Sequence, residues 1–168
     1  MVDALHFPAL SVEPATPADY ARIAELTVEV YVGGGLSSEA YAAELSDVEG
    51  RASQSELLVV RDADGDIVAG VAFVLGGDFA EVTESDDEAG FRMLVVDPAA
   101  QGRGIGRLLV TTCLDRARAA GKRRVVISTG SRMTTAQRLY ERLGFVRLPE
   151  RDWTPHPGTE LLVYARDL

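Results

Sequence analysis

Residues 91–108 read FRMLVVDPAAQGRGIGRL, and their order leaves the backbone few choices. A largely apolar run of strand length, FRMLVV, is stopped at Asp97-Pro98, because proline has no N–H to give a ladder. Gly102, Gly104 and Gly106 then fall within five residues, and a 3.6-residue apolar period begins. A strand that enters a helix through so bare a loop is a β–loop–α unit. Glycine lets the main chain take left-handed dihedrals and approach a ligand closely. The first amides of the helix lack intrahelical partners, and the positive end of the helix dipole lies behind them. That combination suits a pyrophosphate. The loop lacks the Lys-Ser/Thr pair of a nucleotide P-loop, and Arg107 breaks the G-x-G-x-x-G pattern. What is left is Gln101-x-x-Gly104-x-Gly106, with Gly102, Arg103, Ile105 and Arg107 as neighbouring candidate contacts. On the helix that follows, Ile105, Leu109, Cys113, Ala117 and Ala120 share one face. Arg107, Thr111, Asp115 and Arg118 take the opposite one, so the helix docks on a sheet. Cys113 lies on the buried stripe, where it acts as a small core side chain.

The rest of the chain supplies that sheet. At 168 residues it fits one domain, 1–168, with residues 1–9 expected as a flexible N-terminal segment. A strand at 10–15 leads to Thr16, an N-cap with Pro17 at the first helical position and Asp19 three residues after the cap. The helix is expected to reach about Tyr31 and to bury Ile23, Leu26, Thr27 and Val30. Ser37 or Ser38 caps a second helix, through about Val48. ELLVVRD and DIVAGVAFVL are strands joined by Ala63-Asp64-Gly65, a hairpin signal. After the acidic run EVTESDDE come FRMLVV, the glycine loop and a helix ended by Gly121. RVVIST is a strand, TTAQRLYERLGF a helix stopped by Gly144, and short strands at about 145–148 and 160–165 finish the chain. The order β-α-α-β-β-β-α-β-α-β-β predicts a mixed α/β domain with a central sheet of about seven strands and helices on both faces.

Composition removes several functions. A net charge of −9 argues against nucleic acid as a partner. Two histidines and one cysteine, far apart, give no zinc-site spacing, and no metal is expected. No apolar run approaches a bilayer's width, and the start, MVDALHFPAL, has neither a basic n-region nor an apolar h-region. A cytoplasmic protein without a membrane partner is the expectation, and a lone cysteine agrees with it.

The motif VVDPAAQGRGIGRLL resembles the pyrophosphate-binding motif of the GNAT superfamily of N-acetyltransferases. About thirty residues on, AQRLYERLGF (Ala136–Phe145) is similar to that family's later motif, with its tyrosine and terminal Gly-Phe in place. The resemblance covers about Leu10 to Leu168. It implies the GNAT (acyl-CoA N-acyltransferase) fold, acetyl-CoA as donor, and transfer of the acetyl group to a primary amine by direct attack in a ternary complex. The pyrophosphate would be that of coenzyme A. In such proteins the strand before the loop splays from its neighbour at a bulge, and pantetheine lies in the gap. The matching positions are Leu94, Val95 and Val96, whose main chain would pair with pantetheine and hold a developing oxyanion. The resemblance also gives Tyr140 a catalytic role, its hydroxyl protonating the leaving thiolate.

Two positions depart from the family's pattern. An Asn that often helps hold the cofactor is replaced by Met133, with Thr134 and Thr135 beside it. The position of a frequent carboxylate base is about Gly90, so Glu88 is the nearest candidate base, with Glu81 and Glu84 in the preceding loop. A water chain, or no specific group, is the alternative. If the acidic run lines the acceptor entrance, it favours cationic amines; otherwise it is a solvated loop. Many relatives dimerise, so a homodimer is a further expectation. Competing readings are a catalytically silent acyl-CoA-binding module and an N-acyltransferase using another acyl-CoA.

Overall fold

A computed structural model describes residues 10–37 and 39–168. The expected flexible segment 1–9, and Ser38 as a cap, lie outside the described residues. The chain runs β1 (Val12–Pro14), α1 (Tyr20–Val28), α2 (Ala42–Ser46), α3 (Val48–Gln54), β2 (Glu56–Arg61), β3 (Ile67–Val74) and β4 (Glu88–Val96). It continues through α4 (Ile105–Ala119), β5 (Arg124–Gly130), α5 (Thr134–Arg142), β6 (Val146–Arg147), β7 (Trp153–His156) and β8 (Thr159–Asp167). The strands form one eight-stranded sheet in the order β1-β2-β3-β4-β5-β8-β6, with β7 paired to β8. Every pairing is antiparallel except β4 with β5.

Two apolar faces hold the layers together. Ile105, Leu109, Cys113 and Ala117 of α4 pack with Tyr140 of α5 against Leu58, Phe73, Phe91 and Ile127. On the other face, Ile23 and Leu26 of α1 and Val48 of α3 cover Leu57, Val59, Ala72 and Val95. Each fully buried aliphatic side chain contributes about 1.5–3 kcal/mol, so these two stripes dominate the stability of the domain.

The local signals act as chemistry requires. The Thr16 amide donates to the Asp19 carboxylate at 2.9 Å and completes the capping box. That bond, with Arg61 close by, holds Asp19 below the usual carboxylate range. Gly121 and Gly144 take φ of +75° and +85°, which ends α4 and α5.

Five features differ from expectation. The first helix leaves regular α geometry at Val28 and passes through a wider turn at Glu29–Gly33; Val30 is half-buried. The second helix is two, because Asp47 accepts from the Gly50 amide at 3.0 Å and starts α3. β4 begins at Glu88 rather than Phe91. β7 was absent from the expected order; it pairs with β8 alone, so its Pro155 breaks no inner ladder. Ala120 lies just past α4 and is exposed.

Candidate active site

The site begins where β4 bulges. Ala72 pairs with Arg92 and Gly70 with Val95, so Val71 of β3 faces two residues of β4, Met93 and Leu94. Met93 absorbs the extra residue at φ +54°. One inserted residue reverses which side chains face which core. Phe91 packs against α4 and α5, whereas Val95 packs under α1.

Just before the bulge the sheet splits. β4 and β5 pair only at Glu88↔Arg124 and Ala89↔Val125, while β5 keeps its ladder with β8 through Gly130. The main chain of residues 90–96 therefore has no β5 partner. Gly90 sits at the fork, where a Cβ would lie 2.7 Å from the Val126 carbonyl oxygen. No carboxylate could stand there. The Leu94 carbonyl accepts from the Tyr31 hydroxyl at 3.5 Å, from the α1 side.

The glycine loop stands at the mouth of this split. Asp97 anchors its start: its carboxylate takes Arg22 at 3.0 Å and the Ala99 amide at 2.9 Å. Gln101 Nε2 donates to the Val96 carbonyl at 3.4 Å. Gly102 and Gly104 adopt φ of +80° and +76°, with open space where their Cβ atoms would be. Such turns aim successive amides into a concavity. Gly106 is needed for another reason: a Cβ there would meet Leu139 of α5 at 3.2 Å. Ile105 is core. Arg103 and Arg107 are exposed, and among the described residues neither forms an ion pair. An exposed, open cradle of amides flanked by two arginines fits a pyrophosphate.

Tyr140 is 5% exposed, with its ring 5.7 Å from those of Phe91 and Phe145 and 6.3 Å from that of Tyr164. Burial pushes its phenol well above the ordinary range, and the nearby Tyr31 and Cys113 add to this. Met133 lies in the turn before α5, its amide bonded to the Gly130 carbonyl at 2.9 Å. That turn is held from α5 by Gln137, which donates to Gly130 and Ser131 carbonyls at 3.0 and 3.2 Å.

Glu88 is set apart from these groups. Arg151 meets both its oxygens, at 2.9 and 3.1 Å, and the Glu84 amide donates at 2.8 Å. Burial alone would raise its pKa; the bonds from Arg151 and Glu84 and the charges of Arg151 and Arg124 outweigh that and hold it below the usual range. Six residues of strand, about 20 Å, separate it from Leu94. The acidic run is also largely paired. Glu84 meets Arg151 at 3.2 Å and Glu81 meets Arg92 at 2.6 Å.

Sequence reasoning missed the polar groups opposite the bulge. Tyr31, Tyr41, Arg51 and Arg92 come together from two turns, α3 and β4, and only the fold brings them within reach. Arg92 also donates to the Phe79 carbonyl at 3.2 Å and to the Tyr41 hydroxyl at 3.4 Å. Tyr31 and Tyr41 are both pushed up to about 12, mainly by burial, so each keeps its proton.

A split sheet with a glycine loop at its mouth is the frame of an acyl-carrier transferase, and the comparisons agree. The model of the acetyltransferase (GNAT) family matches residues 21–145, and the chain belongs to that family. It is 46% identical over 65 residues to the mycothiol acetyltransferase of Gordonia bronchialis, a match covering 38% of this chain and 21% of that protein. The chain spans about a fifth of the length of the curated relatives it matches. Among solved structures, a GCN5-related N-acetyltransferase from Kribbella flavida is 28% identical with a TM-score of 0.72, covering 95% of this chain and 98% of that one. The acetyltransferase yncA from Salmonella typhimurium, determined with its cofactor acetyl-CoA, is 23% identical with a TM-score of 0.68, covering 95% and 94%. Among the described residues no helix is long and apolar enough to cross a membrane, and no group of His, Cys, Asp and Glu side chains could hold a metal ion.

Proposed function

We propose that this protein moves the acetyl group of acetyl-CoA to a primary amine by direct attack in a ternary complex. The observation that carries the reading is the β4–β5 split with its unpaired main chain, opening at a cradle of left-handed glycines. Acetyl-CoA supplies an activated thioester, and the Salmonella relative's cofactor supports its use here.

Each residue then has a definite task. Amides of the Gly102–Arg107 segment, with Arg103 and Arg107, hold the pyrophosphate. The main chain of Leu94–Val96 binds pantetheine as a neighbouring strand would, and amides near Leu94 and Val95 hold charge developing on the carbonyl oxygen. As the N–C bond forms and the C–S bond breaks, the nitrogen's proton passes to water. The leaving sulfur takes a proton from the Tyr140 hydroxyl, and the phenolate, which burial disfavours, is reprotonated in turn by the proton that the amine gave to water. Met133 lines the turn beside the cradle without the polar contact of an Asn. Glu88 is assigned no role as base. Its carboxylate is committed to Arg151, so the amine enters neutral or loses its proton to solvent.

A screen of amines with acetyl-CoA, read by release of coenzyme A thiol, tests this. Release that depends on an added amine, with the acetylated amine found by mass spectrometry, is the expected result. Tight coenzyme A binding without turnover on any amine would leave a silent acyl-CoA-binding module instead.

A further inference from the structure

Tyr31 reaches the unpaired main chain of β4 from the face of the sheet that the glycine cradle leaves open. The direction of that main chain follows from β3. The Asp97 amide donates to the Val68 carbonyl at 2.8 Å, so Asp97 and Val95 turn their amides and carbonyls to β3. Leu94 and Val96 alternate with them and face the split. Both of these carbonyls are met by side chains. Gln101 of the glycine loop takes that of Val96, and the Tyr31 hydroxyl takes that of Leu94 at 3.5 Å.

The backbone holds Tyr31 in this place. It lies in the wider turn Glu29–Gly33 after α1, and its carbonyl accepts from the Leu36 and Ser37 amides, each at 2.8 Å. Breaks of this kind in a helix often mark functional sites. The half-buried Tyr31 packs with the α1 and α3 cluster, whereas Tyr140 belongs to the α4 and α5 cluster on the opposite face. The cradle and Tyr140 therefore take one face of the split, and Tyr31 stands on the other. Its polar neighbours are engaged elsewhere: Arg51 with the Leu45 carbonyl, and Arg92 with Glu81, the Phe79 carbonyl and the Tyr41 hydroxyl. Tyr31 differs, because a hydroxyl that donates its proton keeps its lone pairs for accepting. With that proton directed at Leu94, what Tyr31 offers the split is an acceptor.

We propose that the Tyr31 hydroxyl oxygen accepts an N–H of the attacking amine, so that the Leu94 carbonyl, the Tyr31 hydroxyl and the amine nitrogen form one hydrogen-bonded chain beside the thioester. This rests on the acetyl-transfer reading above and assigns the acceptor's side of the same site. The amide and carbonyl of Leu94 belong to one strand residue and point the same way. A thioester oxygen held by that amide thus lies beside the carbonyl that Tyr31 meets. The contact leaves the nitrogen's lone pair free to face the thioester carbon. As that pair forms the N–C bond, the C–S pair leaves with sulfur, which takes the Tyr140 proton. The nitrogen becomes cationic, and its N–H bond to Tyr31 strengthens as the charge develops. Tyr31 keeps its own proton throughout, since burial pushes its pKa up to about 12, and the nitrogen's excess proton goes to water.

Tyr31→Phe tests this, because it keeps the ring and removes only the oxygen. The probe is the best primary amine of the thiol-release screen. Its kcat/KM is expected to fall roughly 10–100-fold in the variant. The Kd for acetyl-CoA, from titration calorimetry, and the melting temperature should stay at their wild-type values. An unchanged kcat/KM for the amine overturns the proposal and leaves acetyl transfer intact. Acetyl-CoA binding that weakens in step with turnover also overturns it, and reduces Tyr31 to a tie that shapes β4. A ring-fluorinated tyrosine at position 31 gives a second reading that stands even if Tyr31→Phe fails to fold. Its fluorine NMR signal should move when the amine is added to the coenzyme A complex, and a signal that stays still overturns the proposal. No thiol release from wild type with any amine defeats the acetyl-transfer reading, and this proposal with it.

Discussion

Tyr140 packs among Phe91, Phe145 and Tyr164, and that burial decides which half of proton chemistry it can perform. A phenol raised above its ordinary value of about 10 stays protonated through any usual assay, so it can donate and cannot serve as base. Tyr140→Phe keeps the ring packing and removes the donor. Turnover should fall roughly 10–10³-fold with little change in the KM for acetyl-CoA, and the remaining activity should show no new dependence on pH below about 9. An unchanged kcat would make Tyr140 a core residue only. Glu88 carries the opposite expectation. Its depressed pKa means that its stabilisation is full above the unfolded value of about 4.3 and is lost as pH falls through the folded value. Glu88→Gln leaves Arg151 with the exposed Glu84 and the Val82 carbonyl for partners, at a cost of about 1–3 kcal/mol. Thermal melts at pH 7 should show that loss, the gap to wild type should narrow as pH drops below 4, and kcat should keep its pH profile.

At the scale of elements, legibility followed how tightly conformation constrains residue type. Gly102 and Gly104 were readable because φ near +80° and +76° selects glycine, and the capping box at Thr16 was readable because its partners are three residues apart. The bulge was not, because Met93 takes φ +54° without a glycine to mark it. An apolar run such as FRMLVV looks the same with or without one inserted residue, so the reversal between Phe91 and Val95 left no trace. The early start of β4 was hidden for a related reason: Glu88 looks like loop until Arg151, 63 residues on, neutralises it. Gly90 marks the fork and can be tested there. Gly90→Ala brings a methyl group to 2.7 Å from the Val126 carbonyl, beside the two residue pairs that join β4 to β5. Such overpacking should cost about 1–3 kcal/mol and weaken acetyl-CoA binding, both measurable by melting the variant with and without ligand. Melting behaviour identical to wild type would mean that the fork widens freely.

The whole molecule is a sheet in two halves joined at the base of a cleft, with α4 and α5 on one face across both halves and α1 and α3 on the other face of the first. The family, the layers and the left-handed glycine loop were legible in the sequence, because the two motifs sit at a fixed spacing within regular elements. The polar cluster opposite the bulge was not, since Tyr31, Arg51 and Arg92 are scattered along the chain and meet only after the turn beyond α1 packs with α3 and β4. A ligand lying across the cleft would tie the halves together, so acetyl-CoA should raise the melting temperature by mass action. Titration calorimetry of acetyl-CoA into wild type and Gly104→Asp probes the cleft most directly. Asp tolerates left-handed backbone better than most residues, so the variant can fold, but its carboxylate would stand where the pyrophosphate belongs. Micromolar binding to wild type and no measurable heat with a folded Gly104→Asp is the expected result. Equal affinity in the two proteins would contradict the placement of acetyl-CoA between β4 and β5.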